Sequence, residues 1–525
     1  MKTTIFANSR GICEMEGSYS GDLNSFKSVN DICRIVRNSK KQPHPQECRK
    51  DTSYGSRWES PDVIKRDFKA VPFKEHVEID VGGSPLFYDG DTAYIPSDEA
   101  HTLIIGATGS RKTRCVIAPT IKLLAKAGES IVVTDPKGEL LDFSFTDLKT
   151  YGYDIHVLDF RSMSGNTCWN PLAIPYRLMK SGDKSMENEG RLMLLRLVSD
   201  MIPLVANIDP YWVTSAQGLL FAIMVLVIKK ARNVSEATIY NVVMNVDRIF
   251  LSERTMEAFA NVLDKSSPEY VPIMAVINNA MNTRRCILST FNQAMTLYTG
   301  DSNIIDMLSK NTVELDSLGM KKSALFLVLP DENPSTYPLV TMFISQLYGA
   351  LIKKAQSMES IKKLPVRVNY VLDEFAALPR VNAMPNMITA ARGRNIRFIL
   401  AIQDMAQLTL RYREDSKTIA SNCANWVYLY CRQMEFLKEL SDIIGNDDNG
   451  KPLITANGLM NLDVGEALII CGRMRPFRSK LRDISEYPGS DDHYPIEERA
   501  SKCPREMNLL TRCKVTVNPF EDFEF

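Results

Sequence analysis

The sequence predicts an α/β fold with a mostly parallel central sheet that is interrupted by an all-α insertion. An apolar run at 103–105 leads directly into a glycine-rich loop, which is typical of a buried parallel strand followed by a helix. Short apolar runs alternate with helical patterns before residue 174 and again after residue 319. The segment between them, 175–318, has helical spacing and hardly a strand.

Taken in chain order, the elements outside the insertion follow one another as βαβ units do. Residues 77–95 alternate in polarity around glycine-containing turns, which predicts small strands and hairpins. A helix is expected at 117–127, after the glycine-rich loop. The predicted central strands are 103–105, 130–134, 155–159, 324–329, 368–372, 397–402, 426–430 and 467–471.

These patterns divide the chain into domains and flanking segments. Residues 1–54 are polar and irregular, and we expect a weakly ordered N-terminal arm there. One α/β domain is split into 55–174 and 319–490 by the all-α domain at 175–318. Residues 491–525 form a C-terminal tail whose acidic, aromatic end is either unstructured or a docking peptide.

Charge and hydropathy exclude several classes of protein. The 63 basic and 63 acidic residues cancel, so any contact with nucleic acid must come from a local surface. The longest apolar run, 218–228, is shorter than the roughly 20 residues of a membrane span and predicts a buried helix. The N-terminus lacks the apolar core of a signal peptide.

The glycine-rich loop nearly matches the phosphate-binding motif G-x-x-x-x-G-K-[ST]. In that motif backbone N–H groups surround the β-phosphate, and the following helix directs its positive end at the anion. We expect Lys112 to reach the β- and γ-phosphates and Thr113 to offer its hydroxyl to Mg²⁺. The predicted nucleotide-binding residues are Gly106, Ala107, Thr108, Gly109, Ser110, Arg111, Lys112 and Thr113.

One position departs from the motif, since Arg111 occupies the place of its second glycine. Glycine there allows unusual backbone angles and a close approach to phosphate, whereas arginine adds bulk and a second charge beside Lys112. Three interpretations remain open. The loop binds and turns over nucleotide, it binds nucleotide but turns it over poorly, or it merely resembles a phosphate loop.

A second segment, some 260 residues further along the chain, indicates the same chemistry. An apolar strand at 368–372 ends in Asp373 and Glu374. We expect Asp373 to hold the water shell of Mg²⁺ and Glu374 to act as general base towards the attacking water. Alone, such a pair is equally typical of a strand end with solvated acidic side chains. Downstream of a phosphate loop, the pair predicts that the chain binds ATP and Mg²⁺.

Four sequence blocks then resemble the signatures of a known family, the type IV coupling proteins, which are TraG/TraD-like ATPases of conjugation and type IV secretion. The blocks are DPKGEL (135–140), WNPL (169–172), DEFAAL (373–378) and AIQDMAQL (401–408). The resemblance covers roughly residues 55 to 485, with the blocks in the order of the family. Its broader relatives are DNA motors of the FtsK/HerA group, so the implied fold is a RecA-like P-loop NTPase domain.

The resemblance implies further site residues. Gln403 would match a glutamine that senses the γ-phosphate, and Arg392 an arginine that reaches the site of the neighbouring subunit, with Arg394 as the alternative. Each also has an ordinary explanation, because Gln403 could cap a helix and the arginines could be a solvated basic helix end. Asp135 and Lys137 either support the site or form a good turn.

The implied function is that of an ATP-driven coupling protein. Such a protein recruits a DNA–relaxase substrate and moves it to the channel subunits of a type IV secretion system during conjugation. The family works as hexameric rings, so the resemblance implies a homo-oligomeric ring for this chain, in which the segment 175–318 would be the domain that faces the substrate.

Members of the family usually carry two N-terminal transmembrane helices, and this sequence shows no such pair. We therefore expect a soluble variant that is cytoplasmic or peripheral at the inner face of the membrane. It either docks on a separate membrane anchor subunit or is a membrane-independent relative. Two other functions remain open. One is a slow or non-hydrolysing nucleotide-gated adaptor that docks the relaxase complex, and the other is a DNA motor unrelated to secretion.

Overall fold

The computed structural model of the chain describes residues 55–96, 98–162, 167–204, 209–358 and 361–490. The predicted N-terminal arm (1–54) and C-terminal tail (491–525) lie outside the described residues. The strands are β1 (Phe68–Pro72), β2 (Phe87–Asp89), β3 (Thr92–Pro96), β4 (Thr102–Gly106), β5 (Ser130–Asp135), β6 (Asp154–Asp159), β7 (Ser323–Val328), β8 (Val368–Leu372), β9 (Ile396–Ile402), β10 (Asn425–Tyr430), β11 (Glu466–Cys471) and β12 (Phe477–Lys480).

The α-helices before β7 and those after it are given in two groups. The first group is α1 (Pro61–Asp67), α2 (Ala118–Lys126), α3 (Glu139–Thr150), α4 (Ala173–Met179), α5 (Lys184–Met201), α6 (Pro210–Lys230), α7 (Ile239–Ile249), α8 (Glu253–Val262), α9 (Tyr270–Ile277), α10 (Met281–Thr299) and α11 (Ser302–Met307). The second group is α12 (Tyr337–Ser357), α13 (Met384–Ala390), α14 (Met405–Tyr412), α15 (Asp415–Asn422), α16 (Met434–Ile444) and α17 (Ala456–Met460).

Nine strands form the central sheet in the order β12-β11-β10-β4-β9-β8-β5-β7-β6. The strands from β10 to β6 in this order are all parallel to their neighbours. β11 and β12 extend one edge of the sheet through antiparallel pairings. The mostly parallel sheet with helices confirms the predicted fold class. A separate antiparallel sheet consists of β1, β3 and β2. β2 and β3 lie where small strands were expected, whereas β1 precedes that range and was not predicted.

The central strands are buried on both faces, and successive side chains enter different cores. Leu103 and Ile105 of β4 join a core that also contains the helices between β6 and β7. Ile104 joins a second core, formed with α2, α3 and the small sheet. This alternation follows from the two-residue period of a strand. Because neither face meets water, the strands are continuous apolar runs rather than alternating ones.

Between β6 and β7 the described part of the chain contains helices α4 to α11 and no strand. Short polar side chains define where five of these eight helices begin, because each accepts a hydrogen bond from a backbone N–H of the first turn. The capping residues are Asp183, Asp209, Thr238, Ser252 and Asp301. The local sequence therefore specifies where these capped helices begin. The helices pack their apolar sides into the core that they share with the sheet.

Helix α6 contains the apolar run at 218–228 and extends well beyond it. It has 21 residues and is the one helix in the described ranges that is long and apolar enough to cross a membrane, by length and composition alone. The expectation that this element is too short for a span is therefore wrong, because the helix continues in the N-terminal direction to Pro210. Leu219, Ile223 and Val227 are fully buried in the core, as expected of a buried helix.

Candidate nucleotide-binding site

The candidate site lies at the edge of the sheet where the parallel strands end. β4 runs into the glycine-rich loop, β8 ends directly before Asp373, and β9 ends directly before Gln403. β9 pairs with both β4 and β8, so the three strand ends are neighbours. The carboxyl ends of parallel strands are where α/β sheets bind ligands. The structure therefore brings the two segments that the sequence singled out to one edge.

The loop turns through two residues in the left-handed region of backbone space. Gly109 has a φ of +85° and Arg111 a φ of +63°. Directly after Lys112 the chain forms one π-helical turn, Thr113–Ile117, which continues as α2. The left-handed region costs a non-glycine residue roughly 1–2 kcal/mol. Arg111 therefore adopts the conformation for which glycine is suited, with the strain of a side chain added.

The start of the loop is closely fitted around Ser110. A Cβ atom at Gly106 would lie 2.5 Å from the Ser110 hydroxyl oxygen and 3.2 Å from its Cβ. That hydroxyl is buried, and among the described residues it has no hydrogen-bond partner. Buried polar groups rarely stay unpaired, and those that do often belong to ligand sites. The loop thus holds a free polar group and tolerates no side chain at Gly106, which fits a phosphate ligand.

Lys112 lies between the two acidic residues predicted from the second segment. Its amine is 3.5 Å from Oδ1 of Asp373 and 4.0 Å from Oε1 of Glu374. The lysine and aspartate side chains are almost fully buried, whereas the Glu374 side chain is 29% exposed. Glu374 itself has a φ of +52°. The structure therefore places one buried cation against two carboxylates, of which Glu374 is the more open to solvent.

Hydrogen bonds hold both the side chain and the backbone oxygen of Asp373. Thr113 donates its hydroxyl to Oδ2 at 3.2 Å, and the N–H of Glu374 donates to Oδ1 at 2.9 Å. Thr134 of β5 donates to the backbone oxygen of Asp373 at 2.9 Å. Within the described ranges no cluster of three or more His, Cys, Asp or Glu side chains could hold a metal ion. The Thr113–Asp373 pair suits Mg²⁺, which in nucleotide sites keeps waters and takes few protein ligands.

Gln403 lies at the carboxyl end of β9, between the loop and Asp373. It is half-buried, and its Oε1 accepts a hydrogen bond from Nε2 of Gln407 at 3.3 Å. The cap of α14 is Asp404, whose Oδ1 accepts from the N–H of Gln407 at 2.8 Å. The start of that helix is therefore explained without Gln403.

The predicted arginine is not in this neighbourhood. Arg392 is exposed in a short 3₁₀ helix that precedes β9, so it lies at the amino edge of the sheet. β9 has seven residues, which separates its two ends by roughly 20 Å. Arg394 belongs to the same turn and donates to the backbone oxygen of Lys362 at 3.0 Å. The structure therefore does not bring Arg392 to the phosphate loop of its own chain.

Asp483 contacts the loop and was not singled out from the sequence. It accepts two hydrogen bonds from Arg114, at 3.0 and 2.6 Å, and lies 3.7 Å from the guanidinium of Arg111. Burial acts to raise the pKa of Asp483, but hydrogen bonds from Arg114 and Ser485 outweigh it and lower the pKa to about 2. No local pattern reveals this contact, because Arg114 and Asp483 are 369 residues apart.

Asp135, which the sequence indicated as a turn or a supporting residue, is fully buried at the end of β5. Its two oxygens accept hydrogen bonds from the N–H groups of Gly138 and Leu141, at 2.8 and 3.0 Å. Burial raises the pKa of Asp135 to about 7, and the charges of Asp373 and Glu139 also act to raise it. The residue thus closes the DPKG turn and also lies within electrostatic reach of Asp373.

Comparison with known proteins agrees with this geometry. The profile of the family described as "Type IV secretory system Conjugative DNA transfer" matches residues 55–477. A conjugal transfer protein TraG of Escherichia coli is 26% identical over 393 residues, which cover 70% of this chain and 59% of the relative. A VirD4 protein of Agrobacterium fabrum is 21% identical and aligns with 74% of this chain and 59% of its own length. The chain thus spans about three-fifths of the length of these relatives.

Solved structures show the same fold. The bacterial conjugative coupling protein TrwBΔN70 superposes with a TM-score of 0.54 at 13% identity, covering 83% of this chain and 95% of its own. The plasmid coupling protein TrwB in complex with the ATP analogue ADPNP gives a TM-score of 0.55 at 14% identity, with 82% and 94% covered. This likeness supports the RecA-like P-loop fold. Because the family profile matches most of the sequence, the chain belongs to the type IV secretory system conjugative DNA transfer family.

Proposed function

We propose that this chain is an ATP-driven coupling protein, which recruits a DNA–relaxase substrate and moves it to a type IV secretion channel during conjugative transfer. The observation that carries the proposal is the position of Lys112, whose buried amine lies 3.5 Å from Asp373 and 4.0 Å from Glu374. A phosphate-loop lysine next to a metal-binding aspartate and a potential base is what ATP hydrolysis requires.

The nucleotide that fits the loop is ATP with Mg²⁺. Solved neighbours of this fold include TrwB in complex with ADPNP and with ADP and Mg²⁺. In this chain the backbone of residues 106–113 would surround the phosphates, and Lys112 would neutralise their charge. Thr113 and Asp373, already joined by a hydrogen bond of 3.2 Å, would hold Mg²⁺. The ion would supply charge neutralisation between the β- and γ-phosphates.

The remaining residues divide the catalytic work. Glu374 is the proposed general base, because it is the more exposed of the two carboxylates and can reach an attacking water. Gln403 directly follows β9, the strand that lies between β4 and β8, which suits a residue that responds to the γ-phosphate. Arg392 is exposed at the other edge of the sheet, so we assign it to the site of a neighbouring subunit, where it would stabilise developing charge.

The proposed partners follow from the family and from the organisation of the chain. DNA with its bound relaxase is the cargo, the type IV channel subunits receive it, and a homo-oligomeric ring of this chain drives the movement. The helical segment 175–318 is the proposed substrate-facing domain, and the split segments 55–174 and 319–490 are the nucleotide-binding domain. We place the protein in the cytoplasm or at the inner face of the membrane.

A second candidate function rests on Arg111. Its backbone has a φ of +63°, and its side chain lies 3.7 Å from Asp483. If this strained loop binds ATP but cannot rearrange during the reaction, the chain would be a nucleotide-gated adaptor that docks the relaxase complex. Such an adaptor would change conformation on binding ATP and would hydrolyse it slowly or not at all.

Steady-state ATP hydrolysis with and without DNA separates the two candidates. The wild-type chain is compared with Lys112→Ala, Glu374→Gln and a control, Lys417→Ala, whose side chain is 84% exposed on α15. We expect DNA to stimulate turnover, Lys112→Ala to abolish it, and Glu374→Gln to lower it by roughly 10²–10⁴-fold while nucleotide still binds. The control should keep the wild-type rate.

Two other outcomes contradict the motor. Binding of labelled ATP without turnover, with binding lost in Lys112→Ala, would favour the nucleotide-gated adaptor. Absence of any binding to the wild-type chain would remove both candidates, because each depends on the loop.

A further inference from the structure

Three charged side chains form a cluster beside the phosphate loop, which we call the Asp483 cluster. It consists of Arg111, Arg114 and Asp483. Arg114 donates two hydrogen bonds to the Asp483 carboxylate, at 3.0 and 2.6 Å, and the guanidinium of Arg111 lies 3.7 Å from the same group. The cluster contains two cations and one anion, so it carries a net positive charge, whereas Lys112 with Asp373 and Glu374 carries a net negative one.

The order of the strands locates the cluster relative to the phosphates. Asp373 and Glu374 follow β8, which is separated from β4 by β9. Asp483 follows β12, which lies beyond β10 and β11 on the opposite side of β4. Since the carboxylates next to Lys112 mark the γ-phosphate end of the site, the Asp483 cluster lies towards the α-phosphate and the nucleoside.

Arg111 is the most weakly held member of the cluster. Besides the two bonds from Arg114, Asp483 accepts hydrogen bonds from the N–H and the hydroxyl of Ser485, at 3.0 and 2.9 Å. The contact with Arg111 is longer than any of these, and the Arg111 side chain is 54% exposed. The guanidinium can therefore turn to another anion while Asp483 keeps its remaining partners.

The backbone conformation at Arg111 is strained, which argues against a purely passive role of this residue. A glycine would adopt the φ of +63° without strain. With arginine the loop is strained, and strained residues cluster at active sites and ligand sites, where the strain is often part of the function. The contribution available to an exposed guanidinium beside a phosphate loop is a charge-assisted, bidentate contact with a phosphate.

We propose that Arg111 is a nucleotide-binding residue that contacts the α-phosphate side of a nucleoside di- or triphosphate, and that Asp483 is the positioning residue that keeps the guanidinium beside the loop until the nucleotide binds. The proposal rests on the nucleotide-binding function proposed above. Arg111 then compensates with its side chain for the strain it brings to the loop, and it differs in role from Lys112, which faces the γ-phosphate end. ADP and ATP share the α- and β-phosphates and differ only in the γ-phosphate, so a contact on the α-phosphate side should affect both nucleotides to the same degree.

The test is calorimetric binding of Mg·ADP and Mg·ADPNP to the full chain, combined with thermal unfolding without nucleotide. Arg111→Gly removes both strain and charge, and Arg111→Ala removes only the charge. Lys362→Gly is the matched control for strain, because Lys362 also has a positive φ, +50°, but is exposed and lies in the segment that leads to the amino end of β8.

We expect Arg111→Gly and Lys362→Gly both to raise the unfolding temperature, since each relieves a left-handed residue. Only the Arg111 variants should weaken binding, by about tenfold or more and equally for the two nucleotides. Arg111→Lys, which keeps the charge but not the planar fork, should fall between Arg111→Ala and the wild type. Asp483→Asn should weaken binding less than Arg111→Ala.

The opposite result would overturn the inference. If Arg111→Gly binds both nucleotides as tightly as the wild type, or more tightly, then the arginine is only tolerated. Loss of ADPNP affinity without loss of ADP affinity would assign Arg111 to the γ-phosphate and also reject the α-phosphate contact. A failure of the proposed nucleotide-binding function would give a different result. In that case the wild-type chain would bind neither nucleotide, or Lys112→Ala would bind both as well as the wild type does.

Discussion

At Gly106 the phosphate loop has no room for a side chain, because a Cβ would lie 2.5 Å from the hydroxyl of Ser110. We expect Gly106→Ala to displace Ser110 and to weaken Mg·ADP binding by at least tenfold, with overpacking lowering stability by about 1–3 kcal/mol. Gly349→Ala on α12 is the control, since that position has open space. The control should bind nucleotide normally and gain up to about 1 kcal/mol. Equal binding by both variants would show that the loop does not enclose phosphate as proposed.

Residues within a contiguous motif could be predicted from the sequence, whereas their long-range partners could not. The G-x-x-x-x-[R]-K-T spacing indicated Lys112 and Thr113, and the strand ending in Asp-Glu indicated Asp373 and Glu374. The structure brings all four together. Asp483 could not be predicted, because the sequence Asp-Ile-Ser-Glu matches no functional motif. Its role depends on the contact with Arg114, which forms only in the folded chain.

At the scale of elements, His101 joins β4, β9 and α13. Its ring is fully buried, Nε2 donates to the backbone oxygen of Ile388 at 2.8 Å, and Nδ1 accepts from the N–H of Phe398 at 2.9 Å. The neutral ring is therefore fully paired. Burial, with smaller contributions from the charges of Arg392 and Arg397, lowers the pKa of His101 to about 4.

The lowered pKa has a consequence for stability. The unfolded chain takes up a proton at His101 below about pH 6.5, whereas the folded chain resists it down to about pH 4. The stabilisation by neutral His101 is therefore complete above pH 6.5 and is lost as the pH falls from 6.5 towards 4. The free energy of unfolding of the wild type should fall between pH 7 and pH 5, and we expect this fall to be smaller by roughly 2 kcal/mol in His101→Gln. Denaturant unfolding at both values measures this. An unchanged pH dependence in the variant would contradict the assignment.

A buried ion pair joins the ends of neighbouring elements at the amino edge of the sheet. Glu129 lies before β5 and accepts from Arg397 of β9 and from Asn369 of β8, at 2.9 and 2.8 Å. We expect Glu129→Gln to destabilise the fold by about 3–5 kcal/mol, because the buried arginine loses its counter-charge. Glu414→Gln is the control, since its pair with Lys417 is almost fully exposed and should be worth less than about 1 kcal/mol. Similar losses in both variants, measured by urea unfolding, would contradict the role of burial.

The apolar strands of the central sheet were predictable, including β6 at one edge, whereas the short strand β12 at the other edge was not. All eight predicted central strands match β4 to β11 to within one residue at either end. β12 was missed because it is short and alternates between buried and exposed residues at the edge of the sheet. The order of the strands was also beyond prediction, since it depends on which strands pair and not on local pattern. The length of α6 was underestimated because its N-terminal part contains polar residues between its apolar ones.

At the scale of the whole molecule, the two edges of the sheet have different chemistry. The carboxyl edge holds the loop, Asp373 and Gln403. The amino edge holds the exposed Arg392 and the buried Glu129 network. A residue at the amino edge cannot serve the carboxyl edge of the same sheet, but in a head-to-tail ring it can face the carboxyl edge of a neighbour. The position of Arg392 is therefore the observation that connects the site to the proposed assembly.

Mixing of inactive variants tests this arrangement directly. Arg392→Ala and Glu374→Gln should each abolish DNA-stimulated hydrolysis when assembled alone. In a 1:1 mixture a site becomes complete where an Arg392→Ala subunit, with its intact Glu374, receives Arg392 from a Glu374→Gln neighbour. For random heterologous assembly, activity should return to roughly a quarter of the wild-type rate.

Arg394→Ala mixed with Glu374→Gln is the matched comparison, because Arg394 is engaged with the backbone of Lys362. An Arg394→Ala assembly should hydrolyse ATP on its own if Arg392 is the arginine that acts between subunits. If the Arg392 mixture stays inactive, arginine and base must come from one chain, which the separation of the two edges does not allow, and the proposed ring contact would be rejected.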